Sequence, residues 1–220
     1  MSHLPRRSVL AATTAGLLVG PAARAAPPGV TDSWHRLAQG NARFAGGHQV
    51  HPHEQLAWRE GLTNGQHPFA CVLGCADSRV TPELVFDHGL GDLFTVRAVG
   101  EVLDDATVGS IEYAVAHLGV PLVVVLGHAN CGAVRAAIDL VRGRGELTGA
   151  VSTVARAIEA TVRATPPDPD EAAFVAACVR NQALRVCAEL PDRSAEIRRS
   201  RVAVVAAVYD LHTGLVRRLE

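Results

Sequence analysis

Two short stretches of unbroken apolar character stand out along the chain. They are Phe69–Leu73 (Phe-Ala-Cys-Val-Leu) and Pro121–Gly127, the latter with five consecutive aliphatic residues. Runs of this length without polar alternation predict strands buried on both faces, as in a parallel sheet. Leu93–Val99 and Val202–Tyr209 predict two further strands, and Thr213-Gly214 predicts a hairpin turn into an antiparallel Leu215–Leu219. Helical spacing fills the intervals. Asp32 or Ser33 caps a first helix carrying Trp34, Leu37, Ala38 and Phe44, stopped by Gly46-Gly47. A short helix follows over Glu54–Leu62. Thr81 reads as an N-cap with Pro82 at the first helical position, opening a helix to Phe86. Asp104 or Asp105 caps a helix through Leu118, and Cys131–Arg142 and Val151–Arg163 are helical. Asp170 opens a long helix to about Glu189, ended by Pro191-Asp192, and a short one starts at Ser194. Strands alternating with helices predict an α/β class with a mostly parallel sheet and one antiparallel edge. Gly89-Leu90-Gly91 is no dinucleotide fingerprint, because it leads into a strand and Phe94 stands where the third glycine belongs.

The beginning of the 220-residue chain has a different character. Arg6-Arg7 precedes the apolar Val9–Gly20, and Ala23-Arg24-Ala25 offers a small-residue cleavage site. Residues 1–25 are therefore expected to be a signal peptide of the twin-arginine type, and 26–220 a single catalytic domain. The expectation is export to a periplasm or the outside medium. A dozen apolar residues are too few to cross a bilayer, so no membrane anchor is expected in the mature form.

All 21 basic residues are arginine. The absence of lysine excludes Schiff-base and P-loop chemistry, both of which need it. Without Arg6, Arg7 and Arg24 the balance is 18 basic against 22 acidic residues, which does not invite nucleic acid. Five cysteines (71, 75, 131, 178 and 187) form no regular disulfide framework. Free thiols in an exported chain point to burial or to metal.

Each of the two apolar strands ends in reactive side chains. The first runs into Cys75-Ala76-Asp77-Ser78-Arg79, the second into His128-Ala129-Asn130-Cys131-Gly132. A catalytic zinc takes three thiolate or imidazole ligands from the protein and leaves one place for water, and Cys75, His128 and Cys131 form such a set. Cys75 precedes His128 by 53 residues, so the two meet only if the strands are neighbours, with ends about 5 Å apart. Two thiolates and a neutral imidazole leave a centre without net charge, so a bound hydroxide needs support. Asp77 can accept its hydrogen bond, and Arg79 can hold Asp77 by a bidentate pair. Alternatives are two buried thiols with a hydrogen-bonded histidine, or a Cys131 nucleophile served by His128. The histidines at 48, 51 and 53 read as surface or packing residues.

The paired motif Cys75-Ala76-Asp77-Ser78-Arg79 and His128-Ala129-Asn130-Cys131 resembles the signature of the beta-class carbonic anhydrases. The resemblance extends over Trp34–Leu37, Gly40–Phe44, Phe86–Phe94, Gly109–Ala114 and the terminal hairpin. It implies four parallel strands in the order 2-1-3-4 with an antiparallel edge strand, flanked by helices. It also implies one Zn2+ per subunit and a homodimer or homotetramer with active sites at the dimer interface. The implied reaction is reversible hydration of carbon dioxide to bicarbonate and a proton, by attack of zinc-bound hydroxide. Asp77 and Arg79 are the implied catalytic pair, with Asp77 a fourth zinc ligand in a closed state of some members. Gln66, Phe94, Tyr113 and Gly132 match substrate-pocket positions. Hydrolysis of carbon disulfide or carbonyl sulfide on the same site, or a non-catalytic zinc-binding role, are the competing readings.

The chain departs from the family pattern twice. Val72 stands where members with a bicarbonate-inhibition site carry tryptophan, although Arg97 and Tyr113 are present, so that regulation is expected to be weak or absent. Glu101 replaces a frequent asparagine. His88 is a candidate proton shuttle by its nearness in sequence, with a surface role the stronger expectation.

Overall fold

The computed structural model describes residues 29–144 and 147–220. The expected signal peptide, residues 1–25, lies outside the described residues. The sheet comprises β1 (Ala70–Gly74), β2 (Leu93–Arg97), β3 (Leu122–His128), β4 (Ala203–Tyr209) and β5 (Val216–Arg218). Their order is β2-β1-β3-β4-β5, with the first four parallel and β5 antiparallel to β4. Sequence pattern and resemblance together anticipated this arrangement.

β1 and β3 are buried at every position, and their side chains alternate between two cores, as strand geometry requires. Val72, Val124 and Leu126 join Leu37, Val85 and Phe86 on one face. These come from α1 (Val30–Ala45) and from α3 (Pro82–Val85) with the residue that follows it. Leu73, Val123 and Val125 meet Ile111, Val186, Leu190 and Ile197 on the other, from α4 (Asp105–Ala116), α7 (Glu171–Arg193) and α8 (Ala195–Arg199). Each fully buried aliphatic side chain contributes about 1.5–3 kcal/mol. A third apolar cluster forms beyond the C-terminal ends of β1 and β3. There Cys75 and Cys131 lie among Val134, Ile138, Ile158 and Val179, from α5 (Gly132–Val141), α6 (Ala150–Ala164) and α7. α1 packs directly on backbone, since a Cβ on Gly40 would stand 1.7 Å from the Phe86 carbonyl oxygen. The remaining helix, α2 (Leu56–Gly61), has no buried residue.

Three local expectations are corrected. α1 begins at Val30 behind Gly29 rather than at an Asp32 or Ser33 cap. The Ser33 hydroxyl instead donates to the buried Phe69 carbonyl at 2.9 Å. α7 does not stop at Glu189 but continues through Pro191 to Arg193. Leu190, wholly buried, holds its last turn, and proline near a helix end forfeits only one hydrogen bond. β2 ends at Arg97, where a 3-10 turn over Val99–Glu101 takes over, with Gly100 at φ 68° and Glu101 at φ 54°. Among the described residues no helix is long and apolar enough to cross a membrane.

Candidate metal centre

β1 and β3 pair in parallel register, Gly74 opposite Leu126, so Cys75 and His128 finish on adjacent strand ends. After His128 the chain turns at Asn130, which takes φ 55°, and Cys131 becomes the N-cap of α5. The three ligand atoms of Cys75, His128 and Cys131 lie within 4.8 Å of one another, and all three residues are buried. His128 Nδ1 lies 3.0 Å from the Ala129 carbonyl. A carbonyl only accepts, so this contact places the proton on Nδ1 and leaves the Nε2 lone pair free. Nε2 is buried without a hydrogen-bond partner.

The two thiols share a proton unequally. A hydrogen bond from Cys131 is the main cause that brings the Cys75 thiol well down, with help from the Gly100 N–H against the effect of burial. Donating that bond to the Cys75 thiolate, together with burial, pushes the Cys131 thiol up. An orphaned ring nitrogen beside a thiol pair ready to lose its first proton suits a tetrahedral ion that prefers nitrogen and sulfur.

Asp77 sits beside this group. Arg79 donates to it three times, from its backbone N–H and Nε to Oδ1 (3.0 and 2.9 Å) and from Nη2 to Oδ2 (2.7 Å). That grip is the main reason the Asp77 carboxyl is held well below the usual carboxylate range. Asp77 Oδ2 stands 3.9 Å from His128 Nε2. Arg97 braces the same turn from β2, donating from Nε to the Cys75 carbonyl (3.0 Å) and from Nη2 to the Asp77 carbonyl (2.6 Å). The resemblance had tied Arg97 only to a regulatory site, so this bracing role was missed.

A cavity of about 350 Å³ opens beside Cys75 and Asp77, walled by Val99, Gly132, Ala133, Ala136, Val151 and Val154 among others. Gly132 is thus one of the cavity walls. Gln66 is exposed ahead of β1, and Phe94 and Tyr113 face each other at 6.1 Å between ring centroids. Within one chain these three do not line the cavity. Val72 is fully buried in the first core. His88 does not take the expected surface role: its side chain is 9% exposed, with Nδ1 3.5 Å from Asp92 and its ring edge-on to Phe69. His53 stacks on Trp58 and bonds Asp92 at 2.7 Å, a packing role as expected.

Glu101 could be singled out from sequence only as a departure from the family pattern. It proves to be buried, with Oε1 unpartnered. Burial first, and then the charge at Cys75, push its carboxyl well up. No sequence signal pointed to Gln182, which is also buried and hydrogen-bonds the Gly100 carbonyl.

The carbonic anhydrase family model matches residues 70–216. Carbonic anhydrase 2 of Mycobacterium tuberculosis is 53% identical over 117 residues, which cover 53% of this chain and 56% of that protein. The chain thus spans about half the length of the curated relatives it matches. Among solved structures, a Coccomyxa beta-carbonic anhydrase in complex with acetazolamide is 28% identical with a TM-score of 0.60, covering 73% of this chain and 75% of its own. A tetrameric beta-carbonic anhydrase of Sordaria macrospora shares the fold, with a TM-score of 0.65 at 24% identity over 86% of this chain and 97% of its own. The family match runs from the first residue of β1 to the first of β5 and so takes in both turns, with Cys75, His128 and Cys131. On that ground the chain belongs to the beta-carbonic anhydrase family.

Proposed function

We propose that the protein is a zinc-dependent carbonic anhydrase that reversibly hydrates carbon dioxide to bicarbonate and a proton. The observation that carries this reading is the unpartnered Nε2 of His128 facing two buried thiols within 4.8 Å. Cys75, His128 and Cys131 would hold the ion, and zinc, when bound, would supply a Lewis acid that makes water a nucleophile near neutral pH. Asp77 stays ionised, accepts the hydrogen bond of the attacking water and so orients its lone pair. Arg79 keeps Asp77 in that place and away from the ligand set. The Val99, Ala133, Val151 and Val154 walls form an apolar, water-poor pocket for a linear, uncharged substrate.

Gln66, Phe94 and Tyr113 act in this reading across a subunit boundary. Tyr113, Val99 and Val151 expose 47%, 48% and 61% of their surface, and a second copy would cover such apolar area. A homodimer or homotetramer is the assembly we infer, and it would let these aromatics and the Gln66 amide serve the partner's cavity. Export by the twin-arginine route remains part of the proposal, on the Arg6-Arg7 segment alone.

Stopped-flow hydration on the purified protein, with metal analysis of the same sample, tests the reading. Turnover with one zinc per chain supports it; zinc without turnover at alkaline pH makes the protein a binding module. Carbon disulfide and carbonyl sulfide, offered in competition, distinguish the hydrolase reading by whether either is consumed faster than carbon dioxide is hydrated.

A further inference from the structure

Gly100 occupies a place where only glycine fits. Its φ is 68°, and a Cβ there would meet Ile158 Cδ1 at 2.6 Å and Ala133 Cβ at 2.9 Å. Its N–H donates to Cys75 Sγ at 3.4 Å. A residue with no side chain has nothing of its own to hold it, and glycine is the residue with the widest choice of backbone angles. The hold comes from elsewhere. Gln182 Nε2 on α7 donates to the Gly100 carbonyl at 3.2 Å, and the next N–H, of Glu101, donates to the Ala98 carbonyl at 3.0 Å.

Gln182 is itself fixed. Its Oε1 accepts from Thr161 Oγ1 of α6 at 2.7 Å. The Thr161 carbonyl accepts from Thr165 Oγ1 at 2.8 Å, and Asn181 Nδ2 donates to Thr165 Oγ1 at 2.9 Å. Gln182, Thr161 and Thr165 are 3–4% exposed. This position needs one donor toward a carbonyl and one acceptor for a hydroxyl, and the Gln182 amide supplies the two from separate atoms. The hydrogen-bonded chain runs from two helices to one sulfur of the ligand set.

We propose that Gln182 is a positioning residue of the metal centre: by clamping the Gly100 carbonyl it keeps the Gly100 N–H on Cys75 Sγ and thereby sets how strongly that thiolate donates to the metal. The proposal rests on the zinc reading above. Hydrogen bonds to a ligating sulfur draw electron density from it, and removing such outer partners typically costs 10–100-fold in metal affinity or activity. Without the clamp the buried Gly100 carbonyl is left without its partner, and the residue turns to satisfy it at the expense of the N–H···S bond.

The test uses the full chain loaded with cobalt(II), whose sulfur-to-metal charge-transfer band reports thiolate donation. Gln182→Met keeps the side-chain volume and removes both polar functions. Thr161→Val leaves Gln182 in place but loosens it. Val186→Ala, one turn further along α7 in the second core cluster, lowers stability without touching Gly100. The expected result is a band moved to longer wavelength in Gln182→Met, moved less in Thr161→Val and unmoved in Val186→Ala. Loss of metal to a competing chelator should rise by roughly 10-fold in Gln182→Met. Should Gln182→Met fail to fold, Thr161→Val decides. Bands identical to wild type in the folded variants, or an equal shift in Val186→Ala, overturn the proposal. A wild-type protein with no thiolate band at all overturns the metal reading itself, and the proposal with it.

Discussion

Asp77 Oδ2 lies 3.9 Å from His128 Nε2, close enough that a change of rotamer would bring the carboxylate into the ligand set. Arg79 engages both carboxylate oxygens and holds them in their present orientation. In the zinc reading proposed above, the Arg79 guanidinium would decide between an open coordination place and a fourth protein ligand.

Removing that guanidinium should close the site. Arg79→Ala is expected to retain zinc and lose hydration by at least 10-fold, with X-ray absorption showing an added oxygen ligand at the metal. Asp77→Asn should also keep zinc and lose about 10–100-fold, without the added carboxylate ligand. Full hydration rate in Asp77→Asn would refute the role assigned to this carboxylate.

Cys75→Ser and Cys131→Ser should each lose metal and activity together. Two ligands from one turn, His128 and Cys131, hold an ion less well than three from two turns. Metal content near one zinc per chain in Cys75→Ser would remove Cys75 from the ligand set.

Asp87 should make the clasp between α1 and α3 sensitive to acid. Burial alone pushes its carboxyl up, but the Arg43 guanidinium and the Val50 and His51 amides outweigh it, and the net shift is downward from 3.8. A depressed folded pKa gives stability that is present above the unfolded value and is lost as pH falls through the folded one. Asp87→Asn should cost about 1.5–3 kcal/mol at pH 7, from hydrogen bonds to a charged group. The gap from wild type should narrow as pH falls below about 4, which denaturant melts at several pH values would read directly. A gap independent of pH would show that the charge contributes nothing.

Glu101 should act in the opposite sense. Its carboxyl is pushed well above 4.5, by burial first and Cys75 second. A raised folded pKa gives stability that is full below the unfolded value and declines as pH rises toward the folded one. Glu101→Gln, which mimics the protonated acid, should equal wild type near pH 4 and exceed it at pH 7–8. Thermal melts across that range check the direction; a variant less stable than wild type at pH 8 would contradict it.

Leu126 is fully buried in the central strand β3. Leu126→Ala should destabilise the fold by about 2–5 kcal/mol, and retained zinc in the folded fraction would separate that loss from damage to the centre. A loss under about 1 kcal/mol would mean that the sheet relaxes around the missing side chain.

Much of the fold was legible because burial writes itself into local pattern. The five aliphatics of 122–126 are a central strand because only a strand covered on both faces needs no polar position. Proline at 191 misled for the same reason. Its local preference to end a helix was outweighed by Leu190, whose burial keeps the last turn of α7 in place. Asp32 and Ser33 looked like caps, yet the Ser33 hydroxyl serves a carbonyl 36 residues away.

Taken by itself, the sequence determined which side chains stand at strand ends and in which order. It thereby named Cys75, His128 and Cys131 as one set and Asp77 with Arg79 as their neighbours. Adjacent parallel strands carry their terminal residues to a common edge, so short-range pattern sufficed once the pairing of β1 with β3 was assumed. Tertiary structure alone decided that Arg97 braces the Cys75–Asp77 turn, that Glu101 is buried beside the thiols, and that Gln182 reaches Gly100 across 82 residues. It also decided that Phe94 and Tyr113 stand away from their own chain's cavity. Those relations depend on how helices pack over the sheet, where a hydrogen bond joins residues with no periodicity in common. No pattern along the chain encodes such a contact.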